Sequence, residues 1–275
     1  AGASGVTAAS LKGTSIDVQS SGGGLSVGTG TGSNFVAGAV TATTGAVNVA
    51  VSKDVIAGAI DATTSATVSA AQGAVTLANI TAKSGDLKIV GKTAVKTGDV
   101  TGNATVDLVS ESGTLESSAV NAGGVAKLAG ASGVTVALIK GTSVDAQSSG
   151  GGVTVGTGAG SSFVAGTVTA TSGAVNVAAS KDVIAGAIDA ATTATVTAAQ
   201  GAVTLANVAA KAGDLKIVGK NAVKTGDVTG SAAVDLVSES ATLKSSAVNA
   251  GGVAKLAGAS GVTVASIKGA SVDAQ

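Results

Sequence analysis

Cysteine, proline, methionine, tryptophan, tyrosine and histidine are all missing from this 275-residue chain, and Phe35 and Phe163 are its only aromatic residues. Without cysteine there is no disulfide and no thiolate metal site. Without histidine or cysteine, neither a Ser-His-Asp nor a Cys-His arrangement can form. All 16 basic residues are lysine, balanced by 16 acids to a net charge of zero. With no arginine, and no lysine cluster interleaved with aromatics, the basic footprint of a nucleic-acid partner is lacking. No apolar run reaches the ~18 residues of a membrane span. The reading is a chain that is no enzyme and has no cofactor, no metal, no nucleic-acid partner and no membrane span. Ordinary cores draw much of their energy from aromatics, so this one must bury area through many small β-branched side chains in a repeated arrangement. At 45 % hydrophobic and 12 % charged it is too apolar for disorder.

What is present is repetition. AGASGVT begins at Ala1 and at Ala129, and Ala257 opens the same run again after an equal step. The expected organisation is repeat unit 1 over residues 1–128, unit 2 over 129–256 and the start of a third over 257–275, as one continuous solenoid without linkers. The opening Ala1-Gly2-Ala3-Ser4 has no charged or apolar leader character, so the chain reads as cut from something longer.

A shorter period lies inside each unit. Apolar-polar-apolar triplets recur at nearly even spacing: Val47-Asn48-Val49, Val68-Ser69-Ala70, Leu87-Lys88-Ile89, Val106-Asp107-Leu108, Ala126-Lys127-Leu128 and Val144-Asp145-Ala146. Val175-Asn176-Val177 follows only after a distinctly longer gap. Period-2 alternation marks a short strand with one buried face. A second column runs through Val55, Val75, Val95, Leu115, Val134 and Val153, and a third through Val40, Ile60, Ile80, Val100, Val120 and Ile139. Three columns advancing together predict an all-β fold, a parallel β-helix (β-solenoid) with three short strands per coil of about 20 residues and a triangular cross-section. Glycine, serine, asparagine and threonine fill the corners. A single coil cannot bury enough apolar surface to stand alone, but stacked coils share a core. Thirteen triplets, from Ile16-Asp17-Val18 to Val272-Asp273-Ala274, predict a stack roughly 60 Å long at the usual strand spacing.

Two features stand out as candidate sites. The outward middle residues form a charge ladder, Lys88, Asp107, Lys127 and Asp145 in the first copy and Lys216, Asp235, Lys255 and Asp273 in the second. Opposite charges on neighbouring strands stabilise by roughly 0.2–1 kcal/mol per pair. The ladder reads as a solvated face that fixes register, with a docking stripe as the alternative. Ten extra residues fall within 156–166 (GTGAGSSFVAG), matched by 28–38 (GTGTGSNFVAG). They predict a protrusion whose Phe35 or Phe163 is either a staple folded back on the coils or a lateral contact between fibres.

Other fragments fail on spacing. Gly91-Lys92-Thr93 lacks the earlier glycine of a phosphate loop, and Asp86 stands there instead. Lys96-Thr97-Gly98 lacks its Ser-x-x-Lys and Ser-Asp-Asn partners. The Thr41/Thr43 pair, which suggests ice binding, continues as Asp61/Thr63 and Thr81/Lys83 and is broken by charge. The sequons at Asn79 and Asn103 are both lost in the second copy.

The units GDLKIVGKTAVKTGDVTGN, ATVDLVSESGTLESSAVNAG and GVAKLAGASGVTVALIKGTS resemble the shaft repeats of filamentous-haemagglutinin-like exoproteins secreted by the two-partner route. The resemblance covers essentially the whole chain. It implies a right-handed β-helix at the bacterial cell surface or outside the cell, serving adhesion, biofilm matrix or contact-dependent inhibition. The expected function is the structural shaft of an extracellular fibre or adhesin. Alternatives are a self-assembling filament whose subunits stack end to end, a contact-dependent inhibition shaft, or a binding module. The expected partners are other copies of the chain, stacked axially or bundled laterally, and a host or neighbouring-cell surface or glycan.

Overall fold

The computed structural model describes residues 5–8, 18–28, 34–157, 159 and 162–275. The chain divides into two compact units, Ala1–Val136 and Ala137–Gln275, so the structural division falls a little way into the second copy, beyond the repeat boundary at Leu128. Ile16 and Asp17 of the first triplet, and residues 29–33 of the first glycine-rich segment, lie outside the described residues.

The first unit opens with three short strands, β1 (Val6–Ala8), β2 (Val18–Ser20) and β3 (Leu25–Gly28). Long and short strands then alternate: β4 (Phe35–Ala42), β5 (Val47–Val51), β6 (Val55–Ala62), β7 (Ala66–Ala70), β8 (Val75–Ala82) and β9 (Leu87–Gly91). The same rhythm continues in β10 (Val95–Gly102), β11 (Val106–Ser110), β12 (Thr114–Ala122) and β13 (Val125–Gly130). The unit boundary falls inside β14 (Gly133–Lys140).

Odd-numbered strands pair only with odd-numbered ones and even with even, always in parallel, each with the strand one coil away. The first unit is therefore a parallel β-solenoid with two sheets enclosing one core, and no helix occurs among the described residues. Valine and alanine are the commonest strand residues; valine is frequent because its branched side chain packs well on a pleated surface, and alanine fits where coils stack closely.

Two strands make up each turn. The second and third columns both lie on one long strand, and the register Val55, Val75, Val95, Leu115 and Ile60, Ile80, Val100, Val120 runs as expected. In β10, Val95 and Thr97 face inward, Gly98 and Asp99 both face outward, and Val100 and Gly102 face inward again. Two successive outward residues shift the phase of the alternation, which bends the strand without ending it. The backbones crowd at this bend: a Cβ on Gly98 would overlap the carbonyl oxygen of Ala78 in the coil before. Glycine is also required at one turn of the repeat, where Gly5, Gly133 and Gly261 take φ of 120°, 144° and 111°.

The register of the triplet column differs from the expectation at one coil. Asn48 stands opposite Thr67, and Thr67 opposite Lys88, so the aligned triplet is Ala66-Thr67-Val68 and Ser69 lies one outward position further on. Thr195 takes the same place in the second copy.

The second unit comprises β15 (Ser143–Ser148), β16 (Val153–Gly156), β17 (Phe163–Ala170), β18 (Val175–Ala179), β19 (Val183–Ala190), β20 (Ala194–Ala198) and β21 (Val203–Ala210). It ends with β22 (Leu215–Gly219), β23 (Val223–Gly230), β24 (Val234–Ser238), β25 (Leu243–Ala250), β26 (Val253–Gly258), β27 (Val262–Lys268) and β28 (Ser271–Ala274). It too is a parallel solenoid of two alternating sheets.

One coil of each unit exchanges the columns. Val144-Asp145-Ala146 is continued by the long strand β17 and not by Val175, because Ala146 pairs with Val168. Val153, expected in the second column, pairs instead with Val175. The first unit does the same, with Val18 opposite Val40 and Leu25 opposite Val47. The extra residues thus supply the first half of a long strand and cannot all form a protrusion: residues 163–166 belong to β17, and 35–38 to β4. Val47 opens an odd-numbered strand, β5, whereas its counterpart Val175 opens an even-numbered one, β18.

Both phenylalanines point into the core, with Phe35 at 0 % and Phe163 at 1 % exposure. Their rings begin the long strand at the exchange, where Phe163 sits in register with Val183 above it while β15 pairs only with the later half of β17. A large buried ring thus begins the long strand on the stretch where β15 offers it no partner. A lateral contact through these rings does not fit their burial.

Candidate functional site

The charge ladder is the sequence-derived site that the strands assemble. Lys88, Asp107 and Lys127 stand in register on β9, β11 and β13. Lys216, Asp235, Lys255 and Asp273 do so on β22, β24, β26 and β28. Alternation turns all of them outward, because their neighbours Leu87, Ile89, Val106 and Leu108 face the core. Lys88 Nζ lies 3.6 Å from Asp107 Oδ2, with the lysine side chain 54 % exposed. Asp145 lies on β15 in the exchange coil, and its Oδ1 accepts the Thr167 N–H at 3.3 Å.

Other charges, not singled out in the sequence, are paired more closely. Lys83 Nζ lies 2.9 Å from Asp61 Oδ2, Lys92 2.8 Å from Glu111, and Lys96 3.4 Å from Glu116. The second copy repeats the first two as Lys211–Asp189 at 2.7 Å and Lys220–Glu239 at 2.9 Å. Each pair joins one coil to the next, so its members stand about one coil length apart in sequence. That spacing is the signal that would have found them.

The corner acids do a different job. Asp54 Oδ1 accepts the Ala74 N–H at 2.8 Å, and Asp182 Oδ1 accepts the Ala202 N–H at the same distance. Asp86 and Asp214 accept from Thr105 and Ala233 at 2.9 and 3.0 Å. Asn79 and Asn207 accept from Asp99 and Asp227. These side-chain oxygens satisfy corner amides of the next coil. Placed wherever the strand turns, aspartate and asparagine thus extend the coil-to-coil bonding around the corner.

Polar groups also enter the core. Thr97, Ser110, Ser117, Thr225, Ser238 and Ser245 are buried. The hydroxyls of Thr97, Ser110 and Thr225 have no hydrogen-bond partner, whereas the Ser117 hydroxyl lies 3.1 Å from both the Gly98 and the Ala119 carbonyl oxygens, either of which can accept its proton. Among the described residues, no group of three or more histidine, cysteine, aspartate or glutamate side chains is placed to hold a metal ion. Ile56 and Ile184 are outward and nearly half exposed at equivalent places on β6 and β19.

The residues with chemistry to offer are therefore spread one or two per coil, and their contacts tie coils together rather than converge on a point. Comparison with protein families, with curated proteins and with solved structures finds no match.

Proposed function

We propose that the chain is a length of structural shaft from an extracellular bacterial fibre or adhesin, and that it is not an enzyme. The observation that carries this reading is the direction of its polar contacts. Ion pairs between successive coils and corner carboxylates on the next coil's amides are all spent on stacking. A protein built this way gains reach each time a repeat is added, because every repeat supplies the same coils and the same joints. The near-identity of the two repeat copies fits that use, and the resemblance to filamentous-haemagglutinin-like shafts points the same way.

In this reading the solenoid is right-handed and three-faced. The bend at Gly98 and Asp99 supports three faces, since it divides a single strand into two inward-facing halves. Right-handedness follows the general preference of parallel crossovers. The partners are further copies in series and the surface that the fibre's end engages.

Measuring length tests the proposal. Tandem versions with two, four and six copies of the Ala1–Leu128 repeat are imaged by electron microscopy. Rods that lengthen by roughly 30 Å per added repeat support a shaft. Compact particles whose long dimension does not grow with copy number would overturn it.

A further inference from the structure

The coil formed by β10 and β11 differs from its predecessors on the inside. Where β6 meets β8, the inner partners are Val55 with Val75, Ala57 with Leu77, Ile60 with Ile80 and Ala62 with Ala82. Where β10 meets β12, they are Val95 with Leu115, Thr97 with Ser117, Val100 with Val120 and Gly102 with Ala122. On the other sheet, Ser110 faces Gly130. The change begins on β10, which sets Thr97 against Leu77 and Gly102 against Ala82 in the coil before, and only between β10 and β12 does hydroxyl meet hydroxyl, Thr97 against Ser117; the Thr97 and Ser110 hydroxyls bury without a partner. Apolar burial is the main force holding coil to coil, so this junction is the weakest of the ones compared. The second copy repeats the change, with Thr225 opposite Ser245 and Gly230 opposite Ala250.

The outside of the same junction is where the copies part. In the first copy Lys96 is in register with Glu116, and their charges lie 3.4 Å apart. In the second copy Lys224 is in register with Lys244. Among the differences between the two repeat copies, Glu116 against Lys244 is the one that changes charge. The surroundings are otherwise matched: Lys92–Glu111 and Lys220–Glu239 close the preceding junction in the two copies, and Asp99 and Asp227 follow shortly after the lysines.

We infer that the junction between the β10–β11 and β12–β13 coils, and its counterpart between β23–β24 and β25–β26, opens more readily than the β6–β8 and β19–β21 junctions, and that the outer charge pair sets its response to ionic strength. Attraction across Lys96 and Glu116 is screened by salt, so salt loosens the first junction. Repulsion across Lys224 and Lys244 is screened too, so salt tightens the second. The two nearly identical repeats then open under opposite conditions, and one keeps its joint closed when the other gives.

Hydrogen exchange of the whole chain, read by mass spectrometry at about 10 mM and about 500 mM sodium chloride, tests this. Peptides covering β12 are expected to exchange about two- to fivefold faster at high salt, and those covering β25 about two- to fivefold slower. In Lys244→Glu, the β25 peptides are expected to follow β12 in sign. At either salt, β12 and β25 peptides should exchange faster than those of β8 and β21. Salt shifts of the same sign in the wild-type β12 and β25, or exchange no faster there than in β8 and β21, would overturn the inference.

Discussion

Ala146 stands in register with Val168, although the triplet it belongs to has its sequence counterpart in Val175-Asn176-Val177. That pairing moves the triplet sequence from one sheet to the other within the second unit, and Val18 with Val40 does the same in the first. The exchange happens once in each unit, in the coil that the phenylalanine completes, and the first prediction concerns that ring.

Phe163→Ala should leave a cavity that nothing nearby can fill, costing about 3–5 kcal/mol. Phe163→Leu should cost less than half of that. Urea unfolding of the two variants against the parent chain checks the order, and equal stability of all three would show the ring to be outside the core.

Ile89 is buried between Val68 and Leu108 in register. Ile89→Asp places a carboxylate among aliphatic neighbours with no cation to meet it. A loss of several kcal/mol is expected, read as a lower Tm by circular dichroism. An unchanged melt would contradict the inward assignment.

At the strand bend, Gly98→Ala pushes a methyl group into the Ala78 carbonyl. Backbone must move to admit it, at a cost of about 1–3 kcal/mol. The converse change, Ala78→Gly, removes a methyl at a bend position and is expected to cost about 1 kcal/mol or less. Thermal unfolding of the pair checks the asymmetry.

Asp54 distinguishes a hydrogen bond from a charge. Its Oδ1 accepts the Ala74 N–H, a role the amide oxygen of asparagine can fill. Asp54→Asn should be nearly neutral and Asp54→Ala should lose about 1 kcal/mol. Faster hydrogen exchange at Ala74 in the alanine variant alone is the local readout.

The Lys88–Asp107 ladder pair should contribute little. At 3.6 Å with the lysine mostly in solvent, its coupling in a double-mutant cycle with alanine is expected at about 0.5 kcal/mol or less. The pair then serves register more than stability: like charges would face each other if Lys88 slipped one coil.

How much of this could be read from the sequence depends on what alternation can encode. Period-2 patterning tells inside from outside, and it placed Val55, Val75, Val95 and Leu115 in one column and Lys88 and Asp107 on the outer face. A slip by one full alternation leaves inside and outside unchanged. The pattern therefore could not tell Ala66-Thr67-Val68 from Val68-Ser69-Ala70 as the partner of Val47-Asn48-Val49. Among the closer ion pairs, Lys92 and Glu111 sit at corners, where no alternation marks them, whereas Lys96 and Glu116 are outward residues of β10 and β12 that the alternation does mark.

By itself the sequence determined the coil, its length, its inner and outer residues and the repetition of all of these, since each follows from spacing along the chain. Only the tertiary structure decided which sheet a strand joins at the exchange, and that Phe35 and Phe163 close the core there. A strand one coil further along can meet either sheet with its apolar face inward, and the choice is made by which backbone lies within hydrogen-bonding reach, a fact of space rather than of order along the chain.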